Sequence, residues 1–385
     1  LLSTGGAIGG VFVAVVAPLV FKGVWELPIV IVAALVALAL TAPPQPRVRP
    51  IRAMLRGWRG RLGPYLFVVL PLLLAMTANG GIGLEAAARW ILVGGLVLLL
   101  GGAGRFLALT TAAVLVLATF VLSPAAAFRD RSFFGVVEVL RGPEEVVLMH
   151  GTTVHGRMAV DPARRTDPGS YYARSGPVGD LFAAWALRPP GTVRVVGLGA
   201  GSIAAYARPA DDTAFFEIDP LVVRVAEDKS LFTYLSSITP SPRVAIGDGR
   251  LLIAAEPTDG IDLLVMDAFT SDAVPAHLIT REAFADADRA LRANGIIAVH
   301  ISNRYYDLEP PIAGALHELG YTVRERQYVP SGAEARAGAS LSDWLVATRD
   351  GTTVAALEAR EWVAARPGDT PLTDDFPDLM RFFGR

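Results

Sequence analysis

Glycines and carboxylates follow the predicted strands of residues 191–385, where α/β sheets bind their ligands. The first of these strands, Val193–Gly197, runs into a turn that carries Gly197, Gly199 and Gly201. Glycines there let the backbone turn tightly and approach a ligand, beside the N terminus of the next helix. Because glycine turns also follow strands for structural reasons alone, this turn is a weak signal by itself.

A carboxylate ends the second predicted strand, Thr213–Ile218. Glu217 lies twenty positions after Gly197, the spacing at which a carboxylate accepts both ribose hydroxyls of a nucleotide. The alternative is that Glu217 caps the next helix. Glycine turn and carboxylate together favour an adenosine-containing cofactor, and we include the adjacent Asp219 among its binding residues.

Two further strand ends carry acids. Asp248 and Gly249 follow the third strand, where the aspartate could accept from an adenine amine or cap the next helix. Asp267 and Asp272 share the loop after the fourth strand. Two carboxylates held together are costly unless a cation binds beside them, so this loop is the strongest signal for a cationic substrate.

The elements that must position these residues alternate strand and helix from residue 191 to the C-terminal part. Helices are predicted to begin at Ser202, Leu221, Arg250, Arg281 and Pro310. This alternation predicts a doubly wound, Rossmann-like parallel sheet with helices on both faces, over residues 191–385. Phe133–Leu140 and Glu145–His150 read as short strands of a small N-terminal β subdomain with its linker, residues 129–190.

Residues 1–128 have a membrane composition, with nine basic and only two acidic residues. The whole chain is 52% hydrophobic and 19% charged. Five apolar stretches predict an α-helical transmembrane bundle, although a spanning helix needs about 20 apolar residues and several stretches are shorter. They are Leu1–Phe21, Leu27–Thr41, Tyr65–Ala78, Ala86–Gly101 and Leu107–Leu122. Because the chain opens in an apolar run, we interpret the region as the end of a longer membrane domain.

The side of the membrane follows from two arguments that disagree. The positive-inside rule places the arginine-rich segment Arg47–Arg61 in the cytoplasm, and three further spans would then leave residues 129–385 outside. The adenosine-containing cofactor predicted from the strand ends would come from the cytosol and therefore requires the opposite orientation. We expect a protein integral to the plasma membrane with its catalytic domain in the cytoplasm.

Charge and composition exclude several classes. The net charge of −2 excludes a polybasic nucleic-acid binder. The absence of cysteine excludes disulfides and thiolate metal sites. The five histidines show no ligand spacing, so we expect no metal. His300, at a predicted strand end, we interpret as a packed or hydrogen-bonded residue rather than a catalyst.

Several segments together resemble the catalytic domain of the polyamine aminopropyltransferases, the spermidine synthase-like family. These are Val195–Ser202, Phe216–Pro220, Gly247–Gly249, Leu264–Pro275, Met149–Gly156, Tyr171-Tyr172 and Thr373–Phe376. The closer match is the branch in which this domain follows a hydrophobic membrane region. The resemblance covers about residues 133–385. Its nucleotide motifs are shared with all class I methyltransferases, whereas the acidic loop and the tyrosine pair are more selective.

The resemblance implies aminopropyl transfer from decarboxylated S-adenosylmethionine to a polyamine such as putrescine. The three turn glycines would line the methionine-derived tail of this donor, Glu217 would hold its ribose, and Asp248 its adenine. We expect membrane lipid as a further partner, no nucleic acid, and a homodimer as the assembly to consider.

The resemblance also assigns the chemistry of the acceptor. Asp267 would take a proton from the acceptor amine, Asp272 would grip the acceptor, and Tyr172 would help to place the amine. His155 lies near a position where the family sets a glutamine against the donor. Further candidates for the acceptor site are Asn303, Arg304, Tyr305, Tyr306, Asp343, Asp374 and Asp375.

Departures from the family pattern leave alternatives open. Ala200 stands where an aspartate usually binds the free amine of the donor, and four residues separate Asp267 from Asp272, more than in the soluble enzymes. An S-adenosylmethionine-dependent methyltransferase is therefore the second hypothesis, favoured by Ala200 but not by the acidic loop. A non-catalytic polyamine sensor is the third. A nicotinamide dehydrogenase leaves the Asp248 and Asp267 loops unexplained.

Overall fold

The computed structural model describes residues 2–41, 126–151, 153–268, 275–368 and 370–384. The chain divides into two compact units, Leu1–Ala125 and Ala126–Arg385. The boundary lies close to the position at which the composition changes from apolar and basic to acidic.

The described part of the first unit is helical. Helix α1 runs into a π-helical stretch and then into α2, and α3 follows after a short turn. Their bounds are α1 Leu2–Val11, π-helix Phe12–Val16, α2 Ala17–Val20 and α3 Glu26–Thr41. Such apolar segments suit a helix in lipid because a helix satisfies all its backbone hydrogen bonds internally.

One helix in the described residues, Ser3–Val20, is long and apolar enough to cross a membrane, and the apolar helical segment Glu26–Leu35 is shorter. The first two predicted apolar stretches therefore coincide with helices. The other three stretches and the arginine-rich segment Arg47–Arg61 lie outside the described residues. A five-span bundle is not established by this one helix and stays a prediction.

The second unit begins with a four-stranded antiparallel sheet in which each strand pairs with the next along the chain. The bounds are β1 Phe128–Ser132, β2 Gly135–Arg141, β3 Glu145–His150 and β4 Thr153–Ala159. Strand β3 alternates half-buried with buried residues, and its buried Val146 and Leu148 join the core beneath the larger sheet. The predicted small β subdomain is present, with two strands more than the sequence indicated.

The larger sheet has eight strands, in the order β12-β10-β11-β9-β8-β5-β6-β7. Their bounds are β5 Thr192–Val196, β6 Asp212–Glu217, β7 Arg243–Ile246, β8 Ile261–Met266, β9 Leu291–His300, β10 Thr322–Tyr328, β11 Ser342–Thr348 and β12 Val363–Ala364. Strands β5 to β9 are mutually parallel, as predicted. Strand β11 runs antiparallel to both β9 and β10, so the predicted wholly parallel sheet is wrong at this edge.

Helices flank the sheet between its strands. They are α4 Pro177–Trp185, α5 Pro220–Glu227, α6 Gly249–Ala255, α7 Arg281–Ala290, α8 Glu309–Glu318, α9 Gly332–Arg336 and α10 Gly351–Glu358. Both faces of the sheet are covered, which explains the nearly continuous apolar runs of β5 and β8. Val195 and Val265 pack into one core, and Val196 and Leu264 pack into the other.

The connection after β5 differs from the prediction. In place of a helix from Ser202, the chain forms a short 3-10 turn over Ser202–Tyr206, and Ala207 is already extended. Pro209 follows, and the residue before a proline disfavours helical backbone. The turn therefore cannot lengthen into a helix before β6 begins.

The strand order creates a switch point that positions the site. From β5 the chain proceeds to β6 and β7 on one side, and then to β8 and β9 on the other. Open α/β sheets of this kind bind ligands in the crevice at the carboxyl ends of the strands beside such a point. The carboxyl ends of β5 and β8 lie there, and they carry the glycine turn and Asp267.

Candidate active site

The glycine turn lets three segments meet. Gly197 and Gly199 have positive φ angles, 96° and 53°. A Cβ on Gly197 would collide with the carbonyl oxygen of Asp267, and a Cβ on Gly199 with the carbonyl oxygen of His155. Glycine is therefore required here by close approach as well as by conformation. The turn brings the end of β8 and the strand β4 of the small sheet against the end of β5.

These segments enclose a cavity with a volume of about 230 Å³. Most predicted donor-binding residues lie in its wall: Gly197, Gly199, Glu217, Asp219, Asp248, Gly249 and His155, together with Asp267. Gly201 is the exception among them, because it faces Leu235 and Tyr234. Two apolar residues of the small sheet, Val137 and Leu148, also line it.

Glu217 is held by backbone amides. One carboxylate oxygen accepts from Leu198 N at 3.0 Å and the other from Asp219 N at 2.9 Å. Burial raises the pKa of Glu217, and these two hydrogen bonds offset part of that rise. The carboxylate caps no helix, because the next helix is capped by Asp219. Each oxygen keeps a further lone pair that can accept a ribose hydroxyl.

Asp219 is already engaged at both oxygens. One caps α5 by accepting from Leu221 N at 2.8 Å, and the other accepts from the hydroxyl of Ser132 at 2.6 Å. It is 1% exposed. These bonds anchor β1 to the large sheet, and a direct contact of Asp219 with a ligand stays a prediction.

The position of Asp248 allows both functions that the sequence left open, the helix cap and the contact with an adenine amine. One oxygen caps α6 by accepting from Arg250 N and Leu251 N, and the other lies 3.0 Å from His277 Nε2. Asp248 and His277 both line the cavity. The cap fixes the carboxylate at the rim, where its remaining lone pairs can meet an adenine amine.

The side chain of Asp267 is 6% exposed and is held by two other side chains. Tyr172 donates its hydroxyl to Oδ2 at 2.5 Å, and His300 Nδ1 lies 2.7 Å from Oδ1. Burial, and then the neighbouring Asp267 carboxylate, raise the pKa of Tyr172 well above its ordinary value. The phenol therefore remains a proton donor at any physiological pH. Asp272, the second predicted catalytic acid, lies outside the described residues.

The two adjacent tyrosines have different positions. Tyr172 is 4% exposed and lies behind Asp267. Tyr171 lines a second cavity of about 670 Å³, together with His155, His300, Ser302 and Asp343. Tyr172 contacts Asp267 and does not line the second cavity. Its predicted role in placing the acceptor amine would therefore be indirect, through the orientation of Asp267.

His155 lines both cavities. Its Nε2 atom is buried and has no hydrogen-bond partner among the described residues. Burial, and then the nearby His150, lower the pKa of His155 to about 4. The imidazole is therefore uncharged at neutral pH, and a ligand in either cavity could supply the missing partner of Nε2.

Ala200 has no room for an acidic side chain. It is 0% exposed, and a Cβ on Gly156 would lie 2.5 Å from the Ala200 Cβ. Its backbone N donates to the carbonyl oxygen of His155 at 3.3 Å. Strand β4 therefore packs directly on Ala200 and leaves no space there for a longer side chain.

The other predicted acceptor residues divide into two groups. Asn303, Arg304 and Asp343 line the second cavity. Asp374 instead forms an ion pair with Arg250 at 2.7 Å and accepts from the hydroxyl of Thr280. Tyr305, Tyr306 and Asp375 do not line either cavity, and no group of three or more possible metal ligands occurs within the described residues.

His300 and Ser302 were missed as site residues. His300 is buried and hydrogen-bonded, as predicted, but its partner is the proposed general base. The proximity of His300 to Asp267 could have been predicted from the alternation of strands. Strand β9 lies beside β8 in the sheet, so His300 at the carboxyl end of β9 must lie near Asp267. His277 had no comparable sequence signal.

The fold and this cavity define a Rossmann-like α/β domain of the class I methyltransferase type. No family model matches the chain. A polyamine aminopropyltransferase from Vibrio vulnificus is 30% identical over 127 residues, which cover 31% of this chain and 41% of that relative. The chain thus matches less than half the length of this curated relative. The predicted resemblance to the spermidine synthase-like family, a family of enzymes, is confirmed by this match.

Solved structures give weaker likenesses. A probable spermidine synthase from Corynebacterium glutamicum is 14% identical with a TM-score of 0.47, over 61% of this chain and 87% of that one. Spermidine synthase from Thermotoga maritima is 15% identical with a TM-score of 0.42, over 68% and 84%.

Proposed function

We propose that this chain transfers an aminopropyl group from decarboxylated S-adenosylmethionine to a polyamine. The observation that carries the proposal is the place of Asp267. Its carboxylate lines the smaller cavity, and its hydrogen-bond partner His300 lines the larger one. A base at this junction can meet the amine of one substrate and the reactive carbon of the other.

The chemistry needs little more than a base and correct placement. An ammonium cannot attack carbon because its lone pair carries a proton. Asp267 binds the acceptor as a cation and takes one proton, and the freed nitrogen attacks the methylene next to the sulfonium. The C–N bond forms, the C–S bond breaks, and its electron pair returns to sulfur. Alignment of the two substrates supplies much of the rate.

The donor would occupy the smaller cavity. Glu217 would accept from the ribose hydroxyls, Asp248 would accept from the adenine amine, and the apolar side chains of the small sheet would cover the nucleoside. His155 Nε2 would face the tail of the donor as an uncharged group. The acceptor, putrescine or a related polyamine, would occupy the larger cavity, where Asp343 offers a carboxylate to a second ammonium.

One assay decides between the hypotheses. Purified full-length protein is incubated with each donor and a set of amines, and the products are identified by mass spectrometry. The proposal predicts an amine heavier by one aminopropyl unit, together with 5′-methylthioadenosine. The Asp267→Asn protein is the negative control. Binding of nucleotide and polyamine without transfer would favour the sensor instead.

The second candidate is an S-adenosylmethionine-dependent methyltransferase, and the packing of Ala200 favours it. No acid can stand at this position, where the resemblance implies a contact with the free amine of the decarboxylated donor. In the same assay this activity would yield a methylated acceptor and S-adenosylhomocysteine.

We further propose that the chain is anchored in the plasma membrane with residues 126–385 in the cytoplasm. The apolar helix Ser3–Val20 supports the anchoring, and the cytosolic origin of the proposed donor supports the orientation. Because the chain has no cysteine, Ala163→Cys introduces a unique thiol on an exposed turn. We expect a membrane-impermeant maleimide to label it only after permeabilisation. Labelling of intact cells would place the domain outside and argue against the proposed donor.

A further inference from the structure

His300 has a fixed orientation at the end of β9. The residue is 5% exposed. Its ring stacks on Trp344 with 4.7 Å between centroids and 9° between planes, and Tyr171 lies on it with 4.8 Å between centroids. Trp344 is itself 1% exposed. The two aromatic rings pack against the imidazole, and its two nitrogens form hydrogen bonds with polar partners at the edge of the ring.

A chain of hydrogen bonds runs through this imidazole. Asp343 N donates to Ser302 Oγ at 2.8 Å, and Ser302 Oγ lies 2.7 Å from His300 Nε2. His300 Nδ1 then lies 2.7 Å from Asp267 Oδ1. A neutral imidazole donates from one nitrogen and accepts at the other. Because an ionised carboxylate can only accept, Nδ1 carries the hydrogen and Nε2 accepts from the serine hydroxyl.

The direction of the whole chain follows from its two ends. At one end the backbone N–H of Asp343 donates to Ser302 Oγ, and because Nε2 of the neutral imidazole accepts, the hydroxyl gives its own hydrogen to His300. At the other end Asp267 receives the Nδ1 hydrogen at Oδ1, while Tyr172 donates to Oδ2. Each carboxylate oxygen therefore has one donor, and the plane of the carboxylate is set.

We propose that His300 and Ser302 are positioning residues for the transfer reaction. They hold the Asp267 carboxylate in one orientation, in which it binds the acceptor ammonium. The proton taken from the amine goes to a lone pair of Asp267 that neither Tyr172 nor His300 uses, and leaves to water after transfer. This inference rests on the proposed function.

Kinetics test the positioning role. Ser302→Ala removes the donor to Nε2, and we expect kcat to fall about tenfold, the loss of one hydrogen bond. His300→Phe keeps a ring between Tyr171 and Trp344 but removes both nitrogens, and kcat should fall about 10²-fold through misplacement of the base. KM for the donor should change less than about twofold in both. Ser302→Thr keeps the hydroxyl and should restore most of kcat.

The matched control is His317→Gln, which removes an exposed histidine of α8. A purely structural role for His300 would lower the melting temperature and donor affinity together with kcat. That result, or unchanged kcat in both Ser302→Ala and His300→Phe, would overturn the inference.

A spectroscopic measurement separates this inference from the proposed function. In full-length protein with ¹⁵N-labelled histidine, the His300 signals are identified by their loss in His300→Phe. We expect Nδ1 to carry the hydrogen near neutral pH, and Ser302→Ala to move the Nε2 signal. A hydrogen on Nε2, or no response to Ser302→Ala, overturns the hydrogen-bond chain. If the expected signals appear but no amine is turned over, the hydrogen bonds from Ser302 through His300 to Asp267 are supported and the proposed function fails.

Discussion

Glu217 and Asp267 both follow a strand of the same parallel sheet and line the same cavity, but they are held differently. Glu217 is held by two backbone N–H groups from its own turn and from the neighbouring glycine turn. Asp267 is held by two side chains, Tyr172 and His300, which lie 95 and 33 residues away along the chain. A carboxylate held by backbone is part of the scaffold, whereas one held by side chains depends on several elements packing together.

The two kinds of support predict different responses to substitution. Loss of Glu217 would leave two buried amides without an acceptor, so its binding role and its structural role cannot be separated by truncation. The Asp267 partners are side chains that can be changed one at a time. The catalytic proposal is therefore easier to dissect than the nucleotide-binding proposal.

The largest effect is expected at Asp267. Asp267→Asn keeps the size and one acceptor oxygen but cannot take the proton of the amine. We expect kcat to fall by roughly 10²–10⁴. Affinity for 5′-methylthioadenosine, measured by isothermal titration calorimetry, should change little, because the proposed ribose and adenine contacts lie elsewhere. Equal turnover by wild type and variant would exclude Asp267 as the general base.

A smaller effect is expected at Glu217. Glu217→Gln keeps one acceptor for a backbone amide but loses the charge that strengthens hydrogen bonds to ribose. We expect affinity for 5′-methylthioadenosine to fall about tenfold, within the range of one charge-assisted hydrogen bond. Glu227→Gln, at the exposed end of α5, is the matched control. Unchanged affinity in Glu217→Gln would show that the carboxylate of Glu217 does not bind the ribose and only accepts from the two backbone amides.

The smallest expected effect is the contribution of His155 to the pH dependence of protein stability. The pKa of His155 in the folded protein is about 4, below its ordinary value of 6.5. As the pH falls from 6.5 towards 4, the unfolded chain takes up a proton that the folded chain does not. The contribution of His155 to the free energy of unfolding is therefore fully present above pH 6.5. It is lost as the pH falls towards 4, by at most about 1.4 kcal/mol per pH unit.

Relative to wild type, the melting temperature of His155→Gln should therefore increase as the pH falls from 6.5 to 4, because the variant no longer loses this contribution. The comparison must be made against wild type, because Glu325 titrates in the same range. Burial, and then Asp343, raise the pKa of Glu325 to about 7, which changes stability in the opposite direction. Identical pH dependence of wild type and variant would show that His155 is not buried as a neutral group.

Much of the fold was predictable from the sequence. Period and turn residues predicted β5 to β9 and most of the connecting helices, because each parallel strand is a short apolar run next to a glycine or an acid. The antiparallel strands β10 and β11 were not predicted. Thr322–Tyr328 includes the charged residues Arg324, Glu325 and Arg326, so it has no apolar run, and its strand structure comes from pairing with β11.

The candidate site divides in the same way. The residues that end the strands can be read from the sequence, since the spacing from Gly197 to Glu217 and the place of Asp267 are local properties of strand and turn. The partners of these residues become known only from the packing of the folded domain. This packing placed Tyr172 behind Asp267 and Tyr171 in the second cavity, covered Ala200 with β4, and joined His300 to the base. Such contacts depend on how distant segments pack, and packing between them leaves no periodic pattern in the sequence.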